Sequence, residues 1–458
     1  MNSITPVLLW KDFHYKHHQN YGVRWLVNRE RDDVTPGGFL CDEMGLGKTI
    51  QMIGLMRTNP VKKSLIFLPL AVLEQWVVAA KKAGINCWRG TKDGWKAASK
   101  IRTGRPGLYL VNYDRAVRNP QLVEGEWGRL ICDEAQRIGN SETRGYGLVS
   151  NIDARAKWFL TATPIVNRPE NLEDLFAILH VPYSIEDSDI TKKYILARTM
   201  QDLREVMPEL PKKAAHVKHV LEFDTPEEAD FYRGIQGLAV KRWQQMQEDG
   251  GANAFERFRI IMRLRQISLH PQIYIDARKK QFGRFYKRED WIDGSTKFNQ
   301  IRDLLENEKE YHKWIIFCHF HEEMNLLAEF LGYSDRIGLI QKYSGDMTHE
   351  QREAVLEKTH NNNMDKQEVL LVQLQSGGTG LNLQHFSRVI FSGPWWTSAL
   401  MEQAVGRAVR IGQQKKVVVH HMILREEEGL NIDKMMNEKA KAKGKLCSKV
   451  LSEADHTI

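Results

Sequence analysis

The run Cys-Asp-Glu-Met-Gly-Leu-Gly-Lys-Thr at residues 41–49 constrains this chain most, because it follows one apolar stretch and opens another with helical periodicity. That order is typical of a strand, a tight phosphate-cradling turn and a helix. The glycines let backbone N–H groups curl around phosphate oxygens, and the helix N-terminus adds partial positive charge. Lys48 is expected to reach the β- and γ-phosphates, and Thr49 to hold Mg²⁺. The predicted nucleotide-binding residues are Gly45, Leu46, Gly47, Lys48 and Thr49. The competing interpretation is a plain turn before a helix, since Asp42 stands where the general pattern has glycine.

A short apolar run that ends in two acids, Leu-Ile-Cys-Asp-Glu, follows at residues 130–134. It predicts a buried parallel strand with carboxylates at its carboxyl end, the edge where open α/β sheets bind ligands. Asp133 is then expected to hold Mg²⁺, and Glu134 to polarise the attacking water in phosphoryl transfer. An isolated Asp-Glu pair is more often a solvated loop, so this prediction depends on its combination with the glycine run.

A third element lies at residues 402–413, where Arg407 and Arg410 are three residues apart. On a helix they would share one face. Two planar guanidinium groups on one face can meet a γ-phosphate as charge develops on it during transfer. The alternative is a basic, solvated helix face.

Ten further short segments, in order along the chain, have the residue types of conserved ATPase motifs. They are residues 18–26, 68–76, 112–114, 133–138, 160–167, 210–213, 264–271, 315–318, 343–352 and 376–383. The whole set resembles the motifs of the Swi/Snf-type ATPases of helicase superfamily 2, from about residue 14 to near the C-terminus. That family writes its phosphate loop as Asp-Glu-x-Gly-x-Gly-Lys-Thr, which accounts for Asp42.

The resemblance implies roles for residues that carry no chemistry of their own in the sequence pattern. Gln19 would read the adenine, Gly380 would belong to the nucleotide site, and Gln136 would act with the catalytic residues. The residues implied in DNA binding are Tyr113, Gly378, Thr379 and Trp396. For Trp396, filling of the core or an interface is an equally weighted alternative to base stacking.

The chain departs from the family pattern at three positions. Gln136 and Val409 replace histidines, and Gly139 replaces a frequent lysine. Glutamine still donates and accepts hydrogen bonds but does not titrate, so coupling between the hydrolysis site and the second lobe is expected in altered form. All the charge-handling positions are kept, which favours an active ATPase over an inactive scaffold.

Composition limits the class of protein. With 458 residues, 42% of them hydrophobic, the chain can form two globular domains with full cores, and its net charge of +8 suits a polyanion partner. Its five cysteines are scattered without a Cys-x-x-Cys pair, which predicts a reducing compartment and no structural zinc. We expect no membrane partner, because no apolar run is long enough to cross a bilayer and the N-terminus lacks the pattern of a signal peptide.

Apolar runs that alternate with helical sequence predict an α/β fold with two doubly wound parallel sheets, which the resemblance makes RecA-like. The predicted strands are 64–68, 107–111, 129–132, 157–160, 314–318, 338–343, 368–372, 388–391 and 417–422. We expect an ATP-binding lobe at 14–182 and helical protrusions with the interlobe crossing at 183–294. A C-terminal lobe with a bracing tail is expected at 295–458.

The resemblance implies ATP and Mg²⁺ as cofactors and a monomeric motor on double-stranded DNA, with nucleosomes or other DNA-bound proteins as candidate partners. ATP on the first lobe and arginines on the second would close and open a cleft, so that alternating grip moves the protein along DNA. An ATP-gated DNA clamp and a strand-separating DNA or RNA helicase are the alternatives. The expected location is the nucleus for a eukaryotic cellular protein, and otherwise the cytoplasm or a viral replication compartment.

Overall fold

The computed structural model describes residues 4–31, 34–166, 168–248, 254–360, 365–377, 383–410, 412–425 and 431–458. The chain forms two compact units, each organised around one β-sheet. Unit 1 comprises Met1–Leu210 with Ala442–Ile458, and unit 2 comprises Pro211–Lys441.

The described residues of unit 1 contain eight strands. These are β1 Gly37–Leu40, β2 Lys63–Leu68, β3 Asn86–Thr91, β4 Gly94–Ala97, β5 Gly107–Asn112, β6 Trp127–Asp133, β7 Ala154–Leu160 and β8 Ile195–Leu196. They form one sheet in the order β4-β3-β5-β2-β6-β7-β1-β8. All neighbouring pairs are parallel except β3 with β4.

Strand β2 shows why this sheet needs continuous apolar runs. Leu65 and Phe67 pack into one apolar cluster, whereas Ile66 and Leu68 pack into another. Successive side chains of a strand point to opposite faces, so both faces of the sheet are covered. The helices of this unit are α1 His17–Glu30, α2 Lys48–Thr58, α3 Leu73–Lys82, α4 Tyr113–Arg118, α5 Arg144–Ser150, α6 Glu170–Ile178 and α7 Ser188–Tyr194.

Unit 2 repeats this organisation with six strands in its described residues. They are β9 Ala215–Leu221, β10 Lys313–Cys318, β11 Ile337–Tyr343, β12 Gln367–Gln373, β13 Arg388–Phe391 and β14 Val418–Leu424. The sheet is parallel throughout, in the order β11-β12-β10-β13-β14-β9. Its helices are α8 Pro226–Glu248, α9 Ala254–Leu269, α10 Pro271–Phe282, α11 Thr296–Asn307, α12 His321–Gly332, α13 His349–Lys358, α14 Leu374–Gly377 and α15 Ser398–Val405. The buried side chains of β10 alternate between two apolar clusters, as those of β2 do.

The last helix, α16 Ile432–Glu453, begins in unit 2, and its residues from Ala442 onward belong to unit 1. Val450 lies in a core cluster of unit 1, and Lys449 forms a 3.1 Å ion pair with Glu186. The lysine-rich tail is therefore a packed part of unit 1. No helix in the described ranges has both the length and the hydropathy to cross a membrane.

The predicted α/β class with two mainly parallel sheets is confirmed, and each predicted strand overlaps an observed one. The structure divides residues 183–294 differently from the sequence-based boundaries. Its first part, up to Leu210, belongs to unit 1, and the rest belongs to unit 2. Strand β9, within that segment, was not predicted, because it is an edge strand with mostly exposed side chains and lacks the apolar run of a buried strand.

Candidate functional site

The phosphate loop of unit 1 connects the end of β1 to the start of α2. Gly45 and Gly47 have φ angles of 93° and 85°, a left-handed conformation that favours glycine. Gly47 is the N-cap of α2, so Lys48 and Thr49 occupy its first turn. A Cβ atom at Gly47 would lie 2.6 Å from Nε2 of Gln19. The loop therefore requires glycine here for both its backbone angle and its close contact.

Lys48 lies beside this loop and faces the acidic end of β6. Its Nζ donates a hydrogen bond to the carbonyl oxygen of Asp42 at 2.7 Å. Its charge also lowers the pKa of Asp133, which places the ammonium and that carboxylate in the same electrostatic environment. The structure thus brings together the lysine and the acid that the sequence predicted for one site.

Asp133 is held at the end of β6 by two hydrogen bonds to its carboxylate. The indole Nε1 of Trp76 donates to Oδ2 at 2.8 Å, and the backbone N–H of Glu134 donates to Oδ1 at 3.0 Å. Burial and the neighbouring charge of Glu134 raise the pKa of Asp133 to about 6, against the opposing effects of Trp76 and Lys48. A carboxylate whose charged form is disfavoured in this way gains most from a cation placed beside it.

Glu134 follows in a left-handed backbone conformation with a φ angle of 53°. This angle is uncommon for a residue other than glycine, and such strain concentrates at functional sites. Gln136, in the 3₁₀ helix Ala135–Ile138, donates from Nε2 to Oε2 of Glu134 at 2.8 Å. The glutamine that replaces the family's histidine thus contacts the carboxylate predicted to activate water.

A buried ion pair that the sequence did not reveal supports the start of the phosphate loop. Arg198 donates to Asp42 from Nε to Oδ1 at 2.9 Å and from Nη2 to Oδ2 at 2.7 Å. Both side chains are 0% exposed. Gln51 completes the network, because its Nε2 donates to Asp42 Oδ2 at 2.8 Å and its Oε1 accepts from Arg198 at 2.9 Å. Asp42 is thus a structural anchor in a position where other phosphate loops have glycine.

The residues predicted to read adenine lie against the same loop. Nε2 of His18 is 2.9 Å from the carbonyl oxygen of Leu46, and Nε2 of Gln19 donates to that oxygen at 3.2 Å. Both side chains belong to the first turns of α1 and are buried. Gln19 therefore joins α1 to the phosphate loop.

Tyr113, predicted to contact DNA, is placed differently. Its side chain lies in the core of unit 1, with the residue 6% exposed, and its hydroxyl donates to the carbonyl oxygen of Asp133 at 2.8 Å. A buried ring with a satisfied hydroxyl supports the strand end beneath the site and does not offer a surface to DNA. The prediction for this side chain is corrected accordingly.

The two arginines of unit 2 do not lie within a helix, contrary to the sequence-based expectation. Helix α15 ends at Val405, and Arg407 and Arg410 occupy the turns that follow. Arg407 is 4% exposed, whereas Arg410 is half-buried, which lowers the pKa of its guanidinium. Gly406 explains the early end, since glycine is the poorest helix former after proline. The predicted residues Gly378, Thr379 and Gly380 lie outside the described residues.

Trp396, the other DNA-binding candidate, packs against both apolar clusters of unit 2 and is half-buried. The guanidinium of Arg265 lies 5.2 Å from its ring centroid and 4.6 Å from that of Trp395. The neighbouring Trp395 ring stacks on His319, with centroids 5.2 Å apart. These contacts give Trp396 a packing role, and its partial exposure leaves one part of the ring accessible.

The residues at the end of β6 and in the phosphate loop fit a magnesium nucleotide. The loop has two left-handed glycines at the N-terminus of α2, and Lys48, Thr49 and Asp133 supply an ammonium, a hydroxyl and a carboxylate. No cluster of three or more metal-binding side chains occurs among the described residues. Mg²⁺ does not require one, because it binds through substrate phosphates, water and one or two protein oxygens.

Comparison with known proteins identifies the family. The SNF2-related domain matches residues 18–184, and the Helicase conserved C-terminal domain matches residues 296–412. The chain belongs to the Swi/Snf-type ATPases of helicase superfamily 2. These matched segments contain the phosphate loop and Asp133 in the first case, and Arg407 and Arg410 in the second.

Individual relatives of this Swi/Snf-type ATPase come from viruses, animals and bacteria. A probable global transactivator of Orgyia pseudotsugata multicapsid polyhedrosis virus is 27% identical, over 90% of this chain and 87% of its own. The mouse SWI/SNF-related matrix-associated actin-dependent regulator of chromatin subfamily A member 1 is 25% identical over 95% of this chain, which spans only 43% of its length. The solved Sulfolobus solfataricus SWI2/SNF2 ATPase core in complex with dsDNA is 22% identical, over 98% of this chain and 99% of its own, with a TM-score of 0.41.

Proposed function

We propose that this protein is a DNA-dependent ATPase that moves along double-stranded DNA. The observation that carries the proposal is the left-handed glycine loop with Lys48, whose charge acts on Asp133 at the adjoining strand end, where Glu134 follows. The proposal gains support from the family, whose relatives include a putative ATP-dependent helicase/translocase of Bacillus subtilis. A charge of +8 suits a nucleic-acid partner.

The hydrolysis chemistry is assigned to unit 1. Lys48 would bind the β- and γ-phosphates, the loop N–H groups would orient them, and Thr49 and Asp133 would hold Mg²⁺. Bound Mg²⁺ would neutralise the charge that develops on the transferred phosphoryl group. Glu134 orients the attacking water and accepts its proton, and the amide of Gln136 keeps that carboxylate in place through its 2.8 Å hydrogen bond. Gln19 and Gly380 complete the nucleotide site in this proposal.

Unit 2, the second lobe, is assigned the arginines on which fast hydrolysis depends. Arg407 and Arg410 contact the γ-phosphate as its charge redistributes, so hydrolysis is fast only when the two lobes close. Gly378, Thr379 and Trp396 contact the DNA. Alternating closure and opening then converts turnover into movement along the duplex.

The finer proposals concern partners and place of action. Nucleosomes or other DNA-bound proteins are the objects that such a motor displaces, and one chain acts as a monomer. In a eukaryotic host the site of action is the nucleus, where the DNA is. These proposals rest on the translocase activity and fail with it.

The test compares ATP turnover of the full chain without nucleic acid, with blunt duplex DNA and with single-stranded RNA of equal length. We expect duplex DNA to stimulate most, and we expect stimulation to fall steeply with salt, because phosphate contacts dominate affinity. Displacement of a third strand from a DNA triplex then reports movement. Stronger stimulation by RNA would refute the duplex proposal, and DNA-stimulated turnover without triplex displacement would indicate a clamp.

A further inference from the structure

A strongly basic segment lies at the end of α10, far in sequence from the proposed nucleotide-binding residues. Residues 278–288, Arg-Lys-Lys-Gln-Phe-Gly-Arg-Phe-Tyr-Lys-Arg, contain six cations and no acid, in a chain whose net charge is +8. We call them the basic turn. The segment covers the last turn of α10, the 3₁₀ helix Gly283–Phe285 and the residues after it. Most of its side chains are exposed.

A charge run often reflects only a solvated face, but here five of the six cations have no acidic partner among the described residues. Lys279 pairs with Asp290 at 2.7 Å, and the other five cations form no ion pair with any described residue. Arg278 and Arg263 of α9 both donate to Oε1 of Gln281, at 3.4 and 2.8 Å. The charge of Arg278 contributes, after burial, to lowering the pKa of Arg263. Like charges fixed this closely oppose folding, and a bound polyanion would relieve the repulsion.

The basic turn also exposes two aromatic rings. Phe285 is 80% exposed and Phe282 is 41% exposed. The guanidinium of Arg284 lies 5.5 Å from the ring centroid of Phe285, and that of Arg278 lies 4.3 Å from Phe282. Exposed aromatic rings among cations form the surface on which unpaired bases stack, while a closed duplex offers no free base face along its length.

Other side chains fix the turn to the helices beneath it. Arg288 lies over Phe231 of α8, 3.6 Å from the ring centroid. The backbone N–H of Trp291 donates to Oε1 of Gln272 in α10 at 2.6 Å. The aromatic and cationic groups are therefore presented from an anchored segment, which reduces the entropy lost when a ligand binds.

We propose that the basic turn is an accessory binding site for an unpaired nucleic-acid strand. Phe285 stacks on a base, and Arg278, Lys280, Arg284 and Lys287 contact the phosphates on either side. The identity of this strand rests on the proposed duplex motor: it is the unpaired DNA of a junction. The chain should therefore bind DNA with single-stranded tails more tightly than blunt duplex. This site lies outside the nucleotide-binding residues and needs no ATP.

The test measures binding of the full chain, without nucleotide, to labelled oligothymidylate, to blunt duplex and to duplex with an oligothymidylate tail. Phe285→Ala should weaken binding of oligothymidylate and tailed duplex by roughly 5- to 150-fold, because base stacking on an aromatic is worth about 1–3 kcal/mol. Binding to blunt duplex should stay unchanged. The matched control is Tyr333→Ala, since Tyr333 is also in unit 2 and 81% exposed but lies beside Glu329.

Charge reversal separates phosphate binding from stacking. Arg284→Glu with Lys287→Glu should weaken oligothymidylate binding and reduce its salt slope by about 0.7 for each phosphate that the protein no longer neutralises. Reversal of two exposed lysines elsewhere in unit 2, Lys309→Glu with Lys358→Glu, is the control. Oligothymidylate binding by Phe285→Ala that equals the parent, or a loss in Tyr333→Ala of the same size, would overturn the proposal. Stronger competition by polyglutamate than by oligothymidylate would assign the turn to an acidic protein segment instead.

These binding measurements are independent of hydrolysis. If the chain binds oligothymidylate through Phe285 but duplex DNA does not stimulate its ATPase, the accessory site stands and the proposed motor fails. If Phe285→Ala retains duplex-stimulated turnover, the variant is folded, and its loss of strand binding is assigned to the basic turn.

Discussion

The buried pair of Asp42 and Arg198 offers the sharpest test of how the phosphate loop is held. Both side chains are 0% exposed, and the guanidinium contacts both carboxylate oxygens and the amide of Gln51. Arg198→Met keeps the apolar part of the side chain and removes all of these charged contacts. The carboxylate is then left buried with the amide of Gln51 and the backbone N–H of residue 198 as its partners.

Removing one partner of a buried ion pair costs about 3–5 kcal/mol, because the other charge stays desolvated. For a unit of roughly 150–250 residues, each kcal/mol lowers Tm by about 2–4 °C, so Arg198→Met should lower the Tm of unit 1 by about 6–20 °C. The double variant Asp42→Asn/Arg198→Met leaves no buried charge. It should therefore be more stable than Arg198→Met alone, although it lacks one more native group.

Calorimetry of the parent, Asp42→Asn, Arg198→Met and the double variant gives the four unfolding free energies of a double-mutant cycle. A second buried pair supplies the control. Arg129 and Glu30 are 1% and 3% exposed at the side chain, and Arg129 lies near the start of β6, whereas Asp133 is at its carboxyl end. Arg129→Met should destabilise unit 1 by a similar amount but leave ATP affinity unchanged below the melting range. Arg198→Met should lower both the stability of unit 1 and its affinity for ATP. Strictly additive losses of stability in the cycle would refute the role of an unpaired charge.

The remaining predictions address chemistry. Glu134→Gln should retain ATP and lose hydrolysis, and normal turnover in this variant would remove Glu134 from its proposed role. The variant Arg407→Ala/Arg410→Ala should keep much of the ATP affinity and lose on the order of 10³-fold or more of DNA-stimulated turnover, so parental turnover would show that unit 2 does not complete the site. Activity should fall as pH drops through about 6, the raised pKa of Asp133, because the protonated acid no longer holds Mg²⁺. Trp76→Phe removes a hydrogen bond that favours the charged acid, so the acid limb of kcat/KM for Mg-ATP should move to higher pH; an unmoved limb would exclude Asp133 as its source.

The sequence predicted the elements that burial makes obvious. A parallel strand covered on both faces must be a continuous apolar run, which is why Lys63–Leu68 and Lys313–Cys318 were located to within a residue or so. The hairpin of β3 with β4 was missed because Gly94–Ala97 has mostly exposed or half-exposed side chains at the sheet edge. Strand β9 was missed for the same reason. Edge strands satisfy their backbone on one side only and tolerate polar residues, so their patterns are weak.

The site residues that belong to a short motif with fixed spacing could be predicted from the sequence. The residues that reach the site only through tertiary packing could not. The glycine loop and the Asp-Glu pair carry their own pattern, and the structure brings them together. Arg198 is 156 residues from Asp42 and has no local pattern around it. One clue was present, since an acid immediately after a buried strand needs a partner. The sequence can state that requirement but cannot name the residue that meets it.

Gln136 illustrates how a departure from a family pattern acquires meaning from geometry. In the sequence it replaces a histidine, and in the structure its amide holds Oε2 of Glu134 at 2.8 Å. Because an amide does not titrate, Gln136 is uncharged at pH 5 and at pH 8, whereas an imidazole would change charge across that range. Asp133, with its pKa raised to about 6 by burial and Glu134, is a titrating group at the same strand end. Gln136→His should therefore add to the pH profile a titrating imidazole that the parent lacks.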